Sequence, residues 1–224
     1  MLISIIIPAL NEEKYIAKVL EHSLSLPGHF EVIVVDGGSQ DQTLAIAKGF
    51  DTVNVLRSKK GRANQMNHGA DHAHGDVFLF LHADTFLPPD AYNSIMEFIG
   101  LKKVIGGSFR LIVKDKHPIF KLYTWCSQFS LEFFTYGDHG IFVKSETFRT
   151  INGFKTMDFM EDVEIQKRLR RQGKFKKLKS AVMTSNRRFQ KNGIFLQLTA
   201  DVLLVILFKI GVSPNRLKRY YPDN

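Results

Sequence analysis

Four groups of polar and acidic side chains recur along the chain, each closing an apolar run or opening a helical pattern. Glu161 and Asp162 stand at the start of a pattern that ends in Arg168-Leu169-Arg170-Arg171-Gln172-Gly173. A carboxylate there suits a general base that takes a proton from an attacking hydroxyl, and a helix start favours negative charge in any case. Asp84 closes the run Leu79-Phe80-Leu81, with His82 two residues before it. A strand-end acid can hold a divalent cation whose shell is completed by phosphates. The His82/Asp84 pair, on one strand face, suits Mn²⁺ as well as Mg²⁺. Asp36 closes Val34-Val35 and precedes Gly37-Gly38. It can accept hydrogen bonds from a base or ribose, while the glycines let the backbone approach a ligand. Gly61-Arg62 opens a further helix, where amides and a guanidinium can face a pyrophosphate. The stretch through Asn67 is neither a P-loop nor a GxGxxG turn. Each group also has a plain structural reading, as a cap, a turn or a solvated loop.

These residues need elements to position them. Residues 2–7 form a continuous apolar run ended by Pro8, which predicts a buried parallel strand. Helix is predicted over 12–24, strand over 30–35, and helix from a cap at Ser39 or Asp41 to about residue 50. Strand at 52–56, helix at 63–73 and strand at 77–81 complete a β-α-β-α-β-α-β half. The rhythm then loosens. A helix to residue 99 starts near Pro88-Pro89, and 104–113 reads as a strand with a weak point at Gly106-Gly107. An aromatic-rich helix over 118–134, a strand at 140–143 and a helix at 161–172 follow. In an open α/β sheet the strand carboxyl ends meet at one crevice, which would gather the polar groups. The expected organisation is one domain over 1–224. Residues 1–85 would be its nucleotide-binding half, 86–190 a modified second half, and 191–224 an apolar helix and basic tail.

The chain has 224 residues, 44% apolar and 24% charged, which is enough to bury a core. The net charge of +9, concentrated toward the C-terminus, points to an anionic partner or to a solvated basic surface. A single cysteine, Cys126, excludes an intrachain disulfide and a multi-cysteine zinc site; a reducing cytoplasm fits. The N-terminus lacks the basic region of a signal peptide. Residues 194–212 are mostly apolar but interrupted by Gln197, Thr199, Asp201 and Lys209. A central Asp costs about 2.5–3.5 kcal/mol in a spanning helix. The segment is therefore expected to pack in the protein, to form a homodimer interface, or to lie on the inner membrane face with help from Lys218 and Arg219.

In this order and spacing the groups resemble the family-2 glycosyltransferases over residues 2–185. The resemblance rests on Pro8-Ala9-Leu10-Asn11-Glu12, the block from Val34 to Thr43, Gly61-Arg62 with Asn67-His68-Gly69-Ala70, and Gly75-Asp76. It continues through His82-Ala83-Asp84, Gly140-Ile141-Phe142-Val143, Gly153-Phe154 and Glu161-Asp162. Two further stretches, Tyr136-Gly137-Asp138-His139-Gly140 and Gly211-Val212-Ser213-Pro214 to Tyr220-Tyr221, are like a bacterial subgroup labelled "transferase 2, rSAM/selenodomain-associated", linked to arsenosugar biosynthesis.

The resemblance implies a GT-A fold: an α/β architecture with a Rossmann-like, mostly parallel central sheet flanked by helices, and here a C-terminal apolar helix. It implies inverting transfer from a nucleotide-diphosphate sugar to an acceptor hydroxyl, assisted by Mn²⁺ or Mg²⁺, with no nucleic-acid partner. Pro8, Ala9, Asn11, Glu12, Asp36, Gly37, Arg62 and Asn67 then fall on the nucleotide side. Asp84 and His82 fall at the metal, Asp162 is the base with Glu161 beside it, and Tyr136, Asp138 and His139 fall on the acceptor side. Two departures stand out: Gly37 replaces a second acid that commonly reads uracil, and His82 replaces the first metal-motif acid. A nucleotidyltransferase on a similar sheet would carry a Gly-rich basic signature after strand one, where this chain has Asn11-Glu12-Glu13. A non-catalytic nucleotide-sugar-binding protein is the third reading, and the intact Glu161-Asp162 argues against it.

Overall fold

A computed structural model of the chain describes residues 1–113, 115, 117, 119–120, 124, 128, 137–157 and 159–220. The aromatic-rich stretch expected to be helical over 118–134 therefore falls mostly outside the described residues, as does Tyr136. Strands β1 (Ile3–Ala9), β2 (Phe30–Asp36), β3 (Val53–Arg57) and β4 (Val77–Phe80) alternate with helices α1 (Ile16–Ser25), α2 (Thr43–Lys48) and α3 (Arg62–Asp71). After β5 (Thr85–Phe86) come α4 (Ala91–Ile99), β6 (Val104–Val113), β7 (Ile141–Lys144), α5 (Ser145–Thr150), α6 (Glu161–Gln172) and β8 (Lys174–Thr184). The chain then runs through α7 (Arg187–Asn192), α8 (Ile194–Lys209) and α9 (Pro214–Lys218).

All eight strands join one sheet in the order β3-β2-β1-β4-β7-β6-β8-β5. β1 through β4 are parallel, β7 runs antiparallel to β4 and to β6, and β8 returns parallel to β6. β1 is buried along its whole length because helices cover both faces. Ile3, Ile5 and Ile7 enter a core layer shared with α1, α2 and α4, while Ile6 enters the opposite layer with α3, α5 and α6. Because side chains alternate with period two, a run of isoleucines fills both layers. A third, smaller cluster joins Phe159, Met160 and Val163 to Leu204, Val205 and Leu217.

The strand over 174–184 was hidden in the sequence by its lysines. Phe175, Leu178, Val182 and Thr184 point inward, and the phase slips between the first two. While β6 advances from Ser108 to Arg110, β8 advances from Lys177 to Ala181, so extra residues bulge out of register. Helix α1 begins at Ile16 rather than near Glu12, because residues 11–15 are bound up in a loop. Asn11 adopts φ 56, its backbone N–H donates to Ser39 Oγ, and its side-chain oxygen accepts from the Gln40 N–H at 2.9 Å. The expected Asp41 cap is seen one step removed: its Oδ1 accepts from the Thr43 N–H and hydroxyl, just ahead of α2.

Candidate active site

β1 is the switch point of the sheet: β2 and β3 lie to one side of it, β4 to the other. Its carboxyl end delivers Pro8 and Ala9, both buried, beside Asp36 at the end of β2. Asp36 is itself buried, and its carboxylate accepts from the Gly38 and Ser39 N–H groups at 3.0 and 3.2 Å. It shapes the turn as well as facing the crevice. The cleft floor also depends on Gln65, which the sequence did not single out. Its side-chain N–H₂ donates at 2.8 Å to the carbonyls of both Ala9 and Val35, pinning the ends of β1 and β2. A Cβ at Gly37 would lie 2.9 Å from the Gln65 amide carbon. The missing side chain at Gly37 therefore makes room for Gln65.

Asp84 is buried in the turn between β4 and β5; β4 stops at Phe80, so His82 and Asp84 do not share a strand face as expected, because the chain turns through a Thr85 N–H to His82 carbonyl hydrogen bond. The short pairing of β5 with β8 sets Thr85 opposite Thr184, and so brings Ser185 and Arg187 to Asp84. Ser185 Oγ donates to Asp84 Oδ2 at 2.6 Å, and Arg187 Nε lies 3.2 Å from the same oxygen. The Arg187 guanidinium also forks onto Glu12, with contacts of 2.5 and 2.6 Å, and rests over the Tyr15 ring. Burial pushes the Glu12 carboxyl up, and this outweighs the opposing pull of Arg187. Arg187 was missed: it entered only the net charge, which left an anionic partner and a solvated surface both open, and the β5–β8 pairing brings it to these acids. Among the described residues no three His, Cys, Asp or Glu side chains group as a metal cage. His82 is half-buried, and its charge is felt at His139.

At the other wall, Arg62 follows Gly61 (φ 125) at the start of α3, and its Nε lies 3.1 Å from Glu161 Oε1. Glu161 is buried; that burial raises its carboxyl above the usual range, against the pull of Arg62 and with a push from Asp162. Asp162 is only half-buried and accepts the Val163 N–H at 2.8 Å. Both acids occupy the first turn of α6, entered through Met160 in a left-handed conformation (φ 65). Such backbone is strained for a non-glycine residue and holds only where packing over-determines it. Here the buried Met160 side chain is clamped by Leu204, Val205 and Leu217.

Asn67 supports the same wall. Its amide donates to the Phe154 carbonyl and accepts from the Phe154 N–H, each at 2.8 Å. An amide so engaged has one N–H and one lone pair left for a ligand. Arg168 holds the other side of that loop through the Ile151 and Gly153 carbonyls, at 2.6 and 2.7 Å, while pairing with Glu164.

Asp138 and His139 form a 3-10 turn and are buried between β6 and β8, so neither lies on an open acceptor surface. Burial, with the nearby Lys177 and His82 charges, holds the His139 imidazole well below its ordinary value. Burial likewise brings the Lys177 ammonium down to about 7, against the favourable charge of Asp138.

The arrangement has recognisable counterparts. Over 105 residues the chain is 38% identical to a PGL/p-HBAD biosynthesis glycosyltransferase of Mycobacterium bovis, covering 43% of this chain and 41% of that one. Over 112 residues it is 33% identical to a Methanococcus voltae dolichyl N-acetyl-alpha-D-glucosaminyl phosphate 3-beta-D-2,3-diacetamido-2,3-dideoxy-beta-D-glucuronosyltransferase, covering 45% and 35%. The aligned regions thus take in well under half of these curated relatives. Among solved structures, S. aureus TarS in complex with UDP superposes with TM-score 0.69 at 18% identity, covering 92% of this chain and 66% of that one. The Pyrobaculum calidifontis mannosyltransferase PcManGT in complex with GDP-Man and Mn²⁺ gives TM-score 0.69 at 17% identity, covering 95% and 66%. These likenesses show a GT-A-like fold. The model of glycosyl transferase family 2 matches residues 4–160, the span that carries β1 through Met160 and every crevice residue ahead of Glu161, and the chain belongs to that family.

Proposed function

We propose that the protein moves a sugar from a nucleoside-diphosphate donor to an acceptor hydroxyl in one inverting displacement, with Asp162 as general base. The observation that carries this is the 3.1 Å Arg62–Glu161 ion pair. It joins the basic helix start of the nucleotide half to the acidic helix start of the second half. The arginine can turn toward a leaving diphosphate while the adjoining Asp162, less buried than Glu161, takes the acceptor proton from the opposite side of the sugar. Glu161 holds Arg62 in place. No covalent nucleophile is needed, in contrast to a retaining carboxylate pair. On the nucleotide side the reading uses Pro8, Ala9, Asn11, Glu12, Asp36 and Gly37.

A divalent cation would find one buried carboxylate here, Asp84, whose Oδ2 already accepts from Ser185 and faces the Arg187 cation, so an ion would have to take Oδ1 or displace that pairing. Sites that take one or two carboxylates and complete their shell with phosphate and water are the usual Mg²⁺ pattern. Asp84, with half-buried His82 two residues earlier in the chain, would hold such an ion. When bound, it neutralises charge on the leaving diphosphate. The Mn²⁺ named with PcManGT supports this reading.

The proposal extends to residues 1–224 acting as one unit in the cytoplasm, and to membership of the rSAM/selenodomain-associated subgroup. The test is Asp162→Asn in purified protein, assayed by donor-sugar hydrolysis and by thermal shift with UDP- and GDP-sugars plus Mn²⁺. Turnover should fall at least about 100-fold with donor binding nearly intact. Equal loss of binding and turnover would make Asp162 a ligand or a structural residue.

A further inference from the structure

Helix α8 is apolar on two sides: Leu204 and Val205 are buried against the protein, and a second apolar face is left open to solvent. Its inner side also holds a polar pair: buried Gln197 accepts from Asn192 at 2.7 Å and donates to Asp201 at 2.8 Å. A second set of large apolar residues, in the helix and at its C-terminal cap, faces outward. Phe195 is 70% exposed, Leu196 67% and Ile210 72%, with Val202, Leu203 and Ile206 also exposed. Leu198, Thr199, Val202, Leu203 and Ile206 line an open apolar groove along this face. A surface helix normally turns such residues to the core, and a contiguous apolar patch of this kind marks an interaction site.

We propose that this face docks onto an anionic lipid bilayer, lying in its surface plane. The helix has 16 residues, or about 24 Å at about 1.5 Å per residue, against a hydrocarbon core of about 30 Å. No helix among the described residues is long and apolar enough to cross. Charge selects the partner. Helix α9 is anchored by buried Leu217 in the cluster that also holds α8, and it carries exposed Arg216, Lys218 and Arg219 beside exposed Lys209. Basic residues flanking an apolar helix face match anionic headgroups. A second copy is the poorer fit. Packed parallel through α8, two copies would set their α9 charges together; packed antiparallel, they would set them against exposed Lys191.

The inner side of α8 packs on Met160, whose backbone aims Glu161 and Asp162. Docking would therefore bring the proposed base to the membrane surface, so that an acceptor is presented from the bilayer. This last step rests on the glycosyl-transfer reading; the docking itself does not.

The experiment is flotation of the full chain with vesicles of phosphatidylcholine, with and without phosphatidylglycerol. Binding should require phosphatidylglycerol and weaken in high salt, as the screening length falls from about 10 Å to about 3 Å at 1 M. Arg216→Glu and Arg219→Glu should each weaken it about fivefold or more. Leu203→Asp with Ile206→Asp should abolish it while leaving the thermal shift given by donor nucleotide unchanged, which separates failure of docking from failure of the catalytic reading. A Phe195→Trp reporter, at an exposed position, should shift its emission to the blue on adding anionic vesicles. No shift and no flotation, or a concentration-dependent dimer that the Leu203/Ile206 variant dissolves, would overturn the proposal.

Discussion

Replacing Arg187 with Met tests the reading of the crevice most directly. The substitution keeps the aliphatic bulk and removes the fork onto Glu12, the contact with Asp84 Oδ2 and the cation over Tyr15. Glu12, whose carboxyl is already pushed up by burial and by the Asp84 charge, would then face that acid without their shared cation. Removing one partner of a fully buried pair costs about 3–5 kcal/mol, while exposed pairs are worth about 0–1 kcal/mol. The Arg187 side chain is 35% exposed, so screening places this pair between those limits. The expected loss is about 2 kcal/mol, which for an m-value of about 2 kcal/mol/M moves the urea midpoint down by about 1 M. The sign with pH follows from Glu12. Burial raises its folded-state pKa above 4.5, so ionising it opposes folding, and that opposition grows as pH rises through the folded value. Without Arg187 the folded value rises further. The gap between variant and wild type should therefore be widest near neutrality and narrow on acidification. Urea titrations followed by circular dichroism at both conditions measure it. Equal stability at neutral pH, or a gap that does not shrink in acid, would refute the bridging role of Arg187.

Asp84→Ala should abolish the Mn²⁺ dependence of nucleotide affinity, read as the difference in thermal shift with and without the ion. Asn67→Ala removes two hydrogen bonds to Phe154 and should cost about 1–3 kcal/mol in chemical denaturation, with Gly153–Phe154 amides exchanging faster with solvent. Lys177→Met should flatten the alkaline stability profile. With a folded value of about 7 against 10.5 unfolded, the native lysine loses stability as pH falls through that window, and the variant has no such titration.

Much of this protein was decided locally and could be read locally. The isoleucines of β1, the strand at 104–113 and the helix at 161–172 follow from apolar runs and spacing that neighbouring residues specify, and their limits match closely. The strand-end acid at 36, the turn acid at 84 and the helix-start acids at 161 and 162 were visible because such polar groups interrupt apolar patterns near element boundaries. What only the tertiary structure decided involves partners far apart in sequence. Gln65 holds two strand ends because α3 packs across them. Arg187 reaches Glu12 and Asp84 because a two-residue pairing of β5 with a bulged, lysine-rich β8 brings the C-terminal segment to the crevice. Asp138 and His139 are buried because β6 and β8 close over their turn. Part of the apolar surface of α8 points outward while Leu204, Val205, Gln197 and Asp201 take its inner side, and composition alone carries no sign of which side of a helix meets the protein.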